Sequence, residues 1–264
     1  MQKSAVVPAE AIWVVPEMKL RGSVFRIEES DAASALCHEE QELMKEWQER
    51  WQEKHSQYRS FNADGIVDHD RWRGIPEGKH VLVILKETNG LDGSLARFLR
   101  DGGNDTYYRT WNNVARWVKM IFDHEFADHV SRNMLNDMVR NIAAVNLKKY
   151  AGGARADNRV VKAEAMLDAD LLQRQIVLYQ PNIILTGGWG LVSDFVHDNI
   201  FRDDSIWYDP RKREDKENEP NLWYYRTDKI QKGKGTLVIS MPHPNRASKK
   251  WTLELGKVLE REEK

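Results

Sequence analysis

Four short apolar runs, each the length of a strand, recur along the chain between residues 81 and 240. They read VLVIL, NIAAVNL, NIILTGG and TLVIS. Continuous apolar runs bounded by polar residues are typical of strands that are buried on both faces. Segments with helical spacing separate them, among them RVVKAEAMLDADLLQRQIVLYQ, which ends before Pro181. The alternation predicts an α/β fold, namely a three-layer α/β/α sandwich with a mostly parallel, four-stranded central sheet.

The chain before these runs has a different pattern. Residues 1–30 mix short apolar pieces with prolines and indicate an arm or a hairpin. Residues 31–58 carry apolar side chains near helical spacing on a charged background. Trp47 and Trp51 belong to that apolar stripe, which we interpret as the packing face of a helix. We therefore predict an N-terminal arm and helical extension over residues 1–78, packed on the rest of the chain.

Residues 196–235 interrupt the alternation of strands and helices. Their centre, DPRKREDKENEP, is a dense charge cluster, and a cluster of this kind favours a solvated loop or hairpin. Aromatic residues flank the cluster, WY on one side and WYY on the other. Aromatic side chains beside positive charge either stack on bases and sugars or close a small core of their own. The pattern leaves both alternatives open.

Composition and charge narrow the classes of partner. The 40 lysines and arginines nearly balance the 41 aspartates and glutamates, so no overall basic field attracts nucleic acid and only local patches can hold it. A single cysteine, Cys37, excludes a disulfide framework and a cysteine-based zinc or iron–sulfur site. No apolar run is long enough to span a membrane, and the start MQKSAVVPAE lacks the order of a signal peptide. We expect a cytoplasmic protein without a membrane partner.

Polar residues follow each of the four apolar runs. They read KETNG, NLKKY, TGGWG and MPHPNRAS in chain order. The carboxyl ends of parallel strands meet at one edge of a sheet, where sites form. TGGWG lacks the lysine and the spacing of nucleotide-binding fingerprints, so we interpret its glycines as packing residues. In the last motif His243 stands between two prolines, which fix the local backbone and hold the imidazole in one direction.

These motifs, in this order, resemble those of the uracil-DNA glycosylase superfamily. That superfamily carries Gly-Glu-x-Pro-Gly after one strand, an asparagine near a lysine after the next, a helix leading into Pro-x-x-Ile-x-x-x-Gly, and a late His-Pro-Ser. KETNG, Asn146 in VNLKKY, LLQRQIVLYQPNIILTGG and HPNRAS take these places over roughly residues 80–255. The resemblance implies that residues 79–264 form a uracil-DNA glycosylase-like α/β domain with an insertion at about 196–235.

This chain also departs from the superfamily pattern. Lys86 and Asn89 stand where the first motif has its glycine and proline, and Thr88 stands where some branches carry a water-directing Asp or Asn. Glu87 matches the branch that carries a glutamate. Relatives in that branch often hold an iron–sulfur cluster with four cysteines, which the single cysteine of this chain cannot build. The resemblance thus indicates a divergent member without a cofactor.

The resemblance implies a DNA glycosylase that flips out a pyrimidine and hydrolyses its N-glycosidic bond. His243 would donate a hydrogen bond to the departing base, while Glu87 and Thr88 would position or activate the water. Asn146 would read the edge of the flipped base. Further base contacts are expected from four residues: Asn89, Tyr107, Tyr108 and Trp111. Phosphate contacts are expected from four residues after the histidine: Arg246, Ser248, Lys249 and Lys250. We expect DNA as the partner, no metal and no obligate protein partner.

The substrate and two alternative functions follow from the same residues. No bulky guard against large bases follows the first motif at residues 90–93. This absence favours a hydroxymethylated or glucosylated cytosine of phage DNA, and hence a defence role, over conventional uracil repair. Thr88 and Asn89 suggest a second hypothesis, a catalytically inactive nucleic-acid-binding module. A third hypothesis, a metal-dependent nucleotide hydrolase, would use three carboxylates: Glu87, Asp92 and Asp157.

Overall fold

The computed structural model describes five stretches of the chain: residues 28–55, 60–91, 93–102, 108–231 and 235–263. The arm predicted for residues 1–30 lies outside the described residues up to residue 27.

The described strands form one sheet in the order β1-β3-β2-β4-β6-β5. Their bounds are β1 Gly65–Ile66, β2 Val81–Leu85, β3 Ile142–Asn146, β4 Ile183–Gly187, β5 Trp223–Thr227 and β6 Thr236–Met241. The four central strands are parallel and coincide with the four apolar runs, whereas β1 and β5 pair antiparallel at the two edges.

The prediction of a four-stranded sheet is therefore wrong, because the described residues form a mixed sheet of six strands. The sequence pattern did not predict the two edge strands, and each omission has a physical reason. β1 is only 2 residues long. β5 has one partner strand and contains the exposed Arg226, so it lacks the continuous apolar character of a central strand. The α/β class and the parallel centre are confirmed.

Helices cover both faces of the sheet. Their bounds are α1 Glu28–Lys54, α2 His69–Arg73, α3 Leu95–Arg100, α4 Tyr108–Asp123, α5 Arg132–Arg140, α6 Asn158–Leu167, α7 Ala169–Tyr179, α8 Leu191–Asp194 and α9 Lys250–Glu262. A π-helical turn, Phe195–Phe201, continues α8, and short 3-10 turns occur at Pro210–Lys212 and Pro244–Arg246. No helix in the described part of the chain is both long and apolar enough to cross a membrane.

Alternate residues of the central strands point to opposite faces and build two cores. In β2, Val81, Val83 and Leu85 pack with residues of α3, α4, α5 and α9. Leu82 and Ile84 pack with residues of α1, α6, α7 and the π-helical turn on the other face. The architecture is thus three layers, and the continuous apolar runs follow from burial on both faces.

Helix α1 packs on the second face of this sandwich, as the sequence predicts. Trp47 is fully buried, and its indole Nε1 donates to Asp168 Oδ2 at 3.0 Å. Lys54, in the last turn of α1, donates to Asp168 Oδ1 at 3.0 Å. Trp51 is buried as well. The interpretation of both tryptophans as packing residues is confirmed.

The described part of residues 196–235, for which the resemblance predicts an insertion, contains β5 and a small aromatic core. The ring centroids of Trp207 and Tyr225 lie 4.4 Å apart, and Tyr208 stacks on Tyr224 at 4.7 Å. Both β5 tyrosines are buried. The sequence left two alternatives open for the aromatic residues, stacking on bases and forming a small core. These four residues form a small core.

Candidate functional site

A cavity of about 370 Å³ opens at the carboxyl edge of the central strands. The strand order reverses between β2 and β4, because the chain goes from β2 to β3 on one side and then to β4 on the other. In open α/β sheets, ligands bind in the crevice outside the strand ends at such a reversal. The cavity is lined by the loops after β2, β3 and β6 and by residues of α3 and α4. The fold thus presents a site where its topology predicts one.

The cavity brings together most of the site residues that the sequence predicts. Seven line it: Glu87, Thr88, Asn89, Trp111, Asn146, His243 and Arg246. Three predicted phosphate contacts lie beyond it on exposed surface: Ser248, Lys249 and Lys250. Lys249 pairs with Asp128, and the Lys250 Nζ lies 4.7 Å from the Trp251 ring centroid. Tyr107 lies outside the described residues, and Tyr108 is described only as the first residue of α4.

The loops after β2 and β3 are joined beyond the end of the sheet. The Leu147 amide donates to the Leu85 carbonyl at 2.9 Å, which extends the β2–β3 pairing. Further out, the Gly152 amide donates to the Thr88 carbonyl at 2.8 Å, and the Gly90 amide donates to the Gly152 carbonyl at 3.2 Å. The first motif is therefore held by backbone hydrogen bonds, which keep its side chains in fixed positions.

Thr88 fixes the loop through its side chain. Its hydroxyl donates to Asn62 Oδ1 at 2.8 Å. The Asn62 amide donates in turn to the carbonyls of Leu91 and Gly93, at 2.7 and 3.0 Å. The hydroxyl hydrogen of Thr88 is therefore already used in a hydrogen bond. Only the lone pairs of the hydroxyl oxygen remain to bind a water molecule. A water-directing Thr88 would act as a hydrogen-bond acceptor.

Glu87 is held beside the cavity by an ion pair. Its side chain is only 6% exposed, and it pairs with Lys148, whose side chain is 4% exposed. The Lys148 Nζ also lies 3.9 Å from the Tyr150 ring centroid. A buried carboxylate needs such a partner, because an unpaired buried charge is strongly destabilising. Gly152 makes room for this arrangement, since a Cβ at that position would overlap the Glu87 carboxyl group.

Asn146 lines the cavity and carries a buried side-chain donor that lacks a partner among the described residues. The residue is 1% exposed, and its Nδ2 makes no hydrogen bond to the part of the chain that the structure describes. Leaving a buried donor unsatisfied costs about 1–3 kcal/mol. The backbone below it is rigid, because the Asn146 amide donates to Asp64 Oδ2 at 2.7 Å. A hydrogen-bond acceptor on a ligand would remove this cost if it reached the Asn146 Nδ2.

A buried network anchors the end of β3 under Asn146. Lys149 pairs with Asp64 at 2.5 Å, and neither side chain is more than 1% exposed. Lys149 also donates to Gln175 Oε1 at 3.0 Å. Gln175 donates to the Tyr179 hydroxyl at 2.9 Å, and that hydroxyl donates to Glu40 of α1 at 2.5 Å. The helical extension and the candidate site are thus parts of one hydrogen-bonded structure.

His243 is positioned as a neutral hydrogen-bond donor. Its Nδ1 accepts from the Asn245 amide at 3.3 Å, so the neutral imidazole carries its hydrogen on Nε2. Burial, together with the positive charges of Lys86 and Arg246, lowers the pKa of His243 below its usual 6.5. The turn after the histidine is fixed by Asn113 of α4, whose amide donates to the Pro244 carbonyl at 2.7 Å. The imidazole is therefore oriented and uncharged at neutral pH.

Positive charge collects around the histidine. Three basic side chains line the cavity: Lys86, Arg155 and Arg246. The Lys86 Nζ donates to Asn158 Oδ1 at 2.9 Å, and burial and Arg246 lower the pKa of Lys86. Gly188, after β4, lets this lysine approach His243, because a Cβ there would lie 3.3 Å from Lys86 Cε and 3.9 Å from His243 Cδ2. The rim of the cavity can therefore hold anions.

Two of the three carboxylates of the metal-hydrolase alternative have other partners in the structure. Asp157 caps α6 by accepting from the Arg159 amide at 2.9 Å, while Glu87 pairs with Lys148. Asp92 lies outside the described residues. Across the described residues there is no group of three or more His, Cys, Asp or Glu side chains placed to hold a metal ion.

Several residues of the site were missed by reading the sequence. They are the supporting groups of the cavity: Asn62, Asp64, Asn113, Lys148 and Gly152. One signal was present, because two consecutive lysines at the end of a buried strand require buried acceptors or carboxylates. Nothing in the sequence pattern identifies which carboxylates these are.

No protein-family model matches this chain, and no curated protein matches it either. The likeness to the uracil-DNA glycosylase superfamily therefore rests on the residues of this chain. Function has to be argued from the geometry of the cavity.

Proposed function

We propose that the protein is a DNA glycosylase, which flips out a pyrimidine nucleotide and hydrolyses its N-glycosidic bond to leave an abasic site. One observation carries the proposal. Glu87, Asn146 and His243 come from three separate strand ends and line one cavity. A carboxylate, a base-edge reader and a neutral donor are the three groups that this reaction requires.

His243 stabilises the negative charge that develops on the leaving base. When the bond between the sugar and the base breaks, its electron pair moves into the pyrimidine ring and onto a carbonyl oxygen. A preorganised donor lowers the energy of this state most in a water-poor site. The Nε2 hydrogen of His243 is such a donor, since Nδ1 is occupied by the Asn245 amide. The departing base thus leaves as a hydrogen-bonded anion.

Glu87 stabilises the positive charge that develops on the sugar. Its carboxylate lines the cavity and stabilises an oxocarbenium-like carbon. Water adds to this carbon from the face opposite the base and transfers a proton to the carboxylate or to solvent. Lys148 holds the carboxylate in place through the buried ion pair.

The remaining groups hold the substrate. The unpartnered Asn146 Nδ2 is complementary to an acceptor on the base edge, and a bound base would satisfy it. Trp111 of α4 offers an aromatic surface for the base. Lys86, Arg155 and Arg246 at the rim are placed to neutralise backbone phosphates. These contacts position the strand so that one base enters the cavity.

The size of the cavity supports a substituted pyrimidine as the substrate. A volume of about 370 Å³ falls within the range of sites for drug-sized ligands. Gly90, at the place where a guard would stand, has open space around its Cβ position. We propose hydroxymethylated or glucosylated cytosine of phage DNA as the substrate, in a defence role in the cytoplasm. Uracil repair is the alternative within the same chemistry.

A base-release assay tests the proposal. The protein is incubated in chelator with duplexes that contain uracil, hydroxymethylcytosine or glucosylated hydroxymethylcytosine, and alkali then breaks the strand at abasic sites. We expect release from a modified-cytosine duplex and a loss of at least 100-fold in His243→Ala. The exposed His38 on α1 supplies the matched control, because His38→Ala should keep the full rate. DNA binding without release from any duplex would favour the inactive binding module.

A further inference from the structure

A second cavity, of about 460 Å³, opens beside the proposed active site. It lies over the ends of β4, β6 and β5, whereas the first cavity lies over the ends of β2 and β3 and reaches the turn after β6. Four tryptophans line it: Trp189, Trp207, Trp223 and Trp251. We refer to it as the tryptophan cavity. It plays no part in the reaction proposed above.

The tryptophan cavity has an open aromatic wall. Trp189 is 49% exposed, which is unusual for so large an apolar side chain. Its ring packs edge-on against Trp251, with centroids 4.9 Å apart. About half of the Trp189 side chain stays exposed beside this contact. An exposed aromatic face of this kind is suited to a planar ligand.

The two cavities are neighbours along one edge of the sheet. The Trp189 amide donates to the Met241 carbonyl at 3.2 Å, two residues before His243. Two strand spacings, about 10 Å, separate β2 from β6, and this is about three steps of a stacked DNA strand. A strand that runs along this edge and delivers one base to His243 would carry its neighbouring bases past the tryptophan cavity.

Charges around the tryptophan cavity favour a base over a cation. The Arg211 guanidinium lies 4.8 Å from the Trp223 ring centroid, so this aromatic face already has a cation on it. Lys250 similarly lies 4.7 Å from the Trp251 ring centroid. The Arg211 guanidinium also donates to both carboxylate oxygens of Asp209, whereas the exposed Lys250 is placed to contact a phosphate of a passing strand. Asp194, the acidic lining residue, can accept hydrogen bonds from amino groups of a base.

We propose that the tryptophan cavity binds a second, unmodified nucleobase of the same DNA strand by stacking on Trp189. This inference rests on the proposed function, because it takes DNA as the partner. The bound base would flank the flipped nucleotide. Its binding would hold the distorted strand open while the modified base occupies the first cavity.

The test uses two labelled single-stranded oligonucleotides and fluorescence anisotropy. The first contains one stable abasic analogue between normal nucleotides, so that it cannot fill the first cavity with a base. The second also lacks the three bases on each side of that analogue. We expect Trp189→Ala to weaken binding of the first oligonucleotide about tenfold and to leave the second unchanged. Trp189→Phe, which keeps an aromatic face, should retain most of the affinity.

Matched controls separate stacking from loss of apolar surface and from loss of the fold. Ile206 is 91% exposed and does not line the cavity, so Ile206→Ala should bind both oligonucleotides as the wild type does. Equal weakening of both oligonucleotides by Trp189→Ala, or no weakening of either, would overturn the inference. So would displacement of the first oligonucleotide by millimolar tetramethylammonium, which would indicate a cation site.

The outcomes also separate this inference from the proposed function. Suppose that the Trp189→Ala protein releases the base and binds both oligonucleotides as the wild type does. The stacking site would then be refuted, and the glycosylase activity would be supported. Trp189-dependent binding of the first oligonucleotide, without base release from any duplex, would keep the stacking site and remove the glycosylase.

Discussion

Gly152→Ala should disable the site by moving one carboxylate. The backbone of Gly152 lies outside the left-handed region, so alanine is acceptable to the chain itself. The new Cβ would overlap the Glu87 carboxyl group and would lie 2.6 Å even from its farther oxygen. The nearest carboxyl oxygen would lie 1.9 Å from the new Cβ, so the carboxyl must shift by roughly 1.5 Å to reach ordinary contact, and a misplacement of about 1 Å already costs about 100-fold in rate.

The assay is the single-turnover rate of base release at saturating enzyme. We expect the rate to fall about 100-fold in Gly152→Ala while DNA affinity stays within a factor of about three, because the basic rim is untouched. Gly153→Ala is the matched control, since nothing lies within 4 Å of its Cβ position. A melting curve shows whether the shifted carboxylate also weakens its buried pair with Lys148.

A normal rate in Gly152→Ala would refute this reasoning. It would mean that Glu87 is not a fixed reacting group, and the water would need another partner. An equal loss in Gly152→Ala and Gly153→Ala would assign the effect to the loop backbone and not to the carboxylate.

Three further predictions concern charge and burial around the cavity. Lys86→Met should raise the pKa of His243 towards 6.5, as measured by NMR titration, and should move the acid limb of the pH–rate profile to higher pH. An unchanged pKa would show that the charge of Lys86 does not act on His243. Asn146→Ala should abolish base release without lowering the melting temperature, because it removes an unsatisfied buried donor; a large drop in melting temperature would assign Asn146 to the core. Lys149→Met should destabilise the protein by about 3–5 kcal/mol in denaturant unfolding, because Asp64 loses its partner; a neutral result would mean that the buried network does not support the fold.

The pH dependence has a definite sign. Because the pKa of His243 is lowered in the folded protein, the unfolded chain binds more protons between that value and 6.5. The stability contributed by the neutral imidazole is therefore complete above pH 6.5 and is lost as the pH falls through the lowered pKa. Base release should decline as the pH falls through the lowered pKa of the folded protein, since protonation of Nδ1 removes the acceptor for the Asn245 amide.

The central part of the fold was predictable because each central strand is buried on both faces. That burial imposes an unbroken apolar run such as VLVIL, which single-sequence reading can recognise. β1 and β5 lie at edges, where one partner strand suffices, and their residues carry no such run. The strand count was therefore the part of the architecture that the sequence pattern could not supply.

The site was predictable to the extent that chemistry follows strand ends. Glu87, Asn146 and His243 each come at or just after the end of a recognisable strand, so topology alone brings them together. Their supports are different, because the pairing of Lys148 with Glu87 and of Lys149 with Asp64 depends on three-dimensional proximity. The tryptophan cavity is assembled from the insertion, the turn after β4 and α9, which the sequence separates widely.

The most direct measurement is the quantity of free base and of abasic sites that the protein produces, determined by mass spectrometry in chelator on a duplex containing glucosylated hydroxymethylcytosine. The account predicts one free base for each abasic site, an intact sugar–phosphate backbone before alkali, and no product in His243→Ala. Release of nucleotides or inorganic phosphate, or a reaction that the chelator abolishes, would contradict it and would favour a metal-dependent hydrolase.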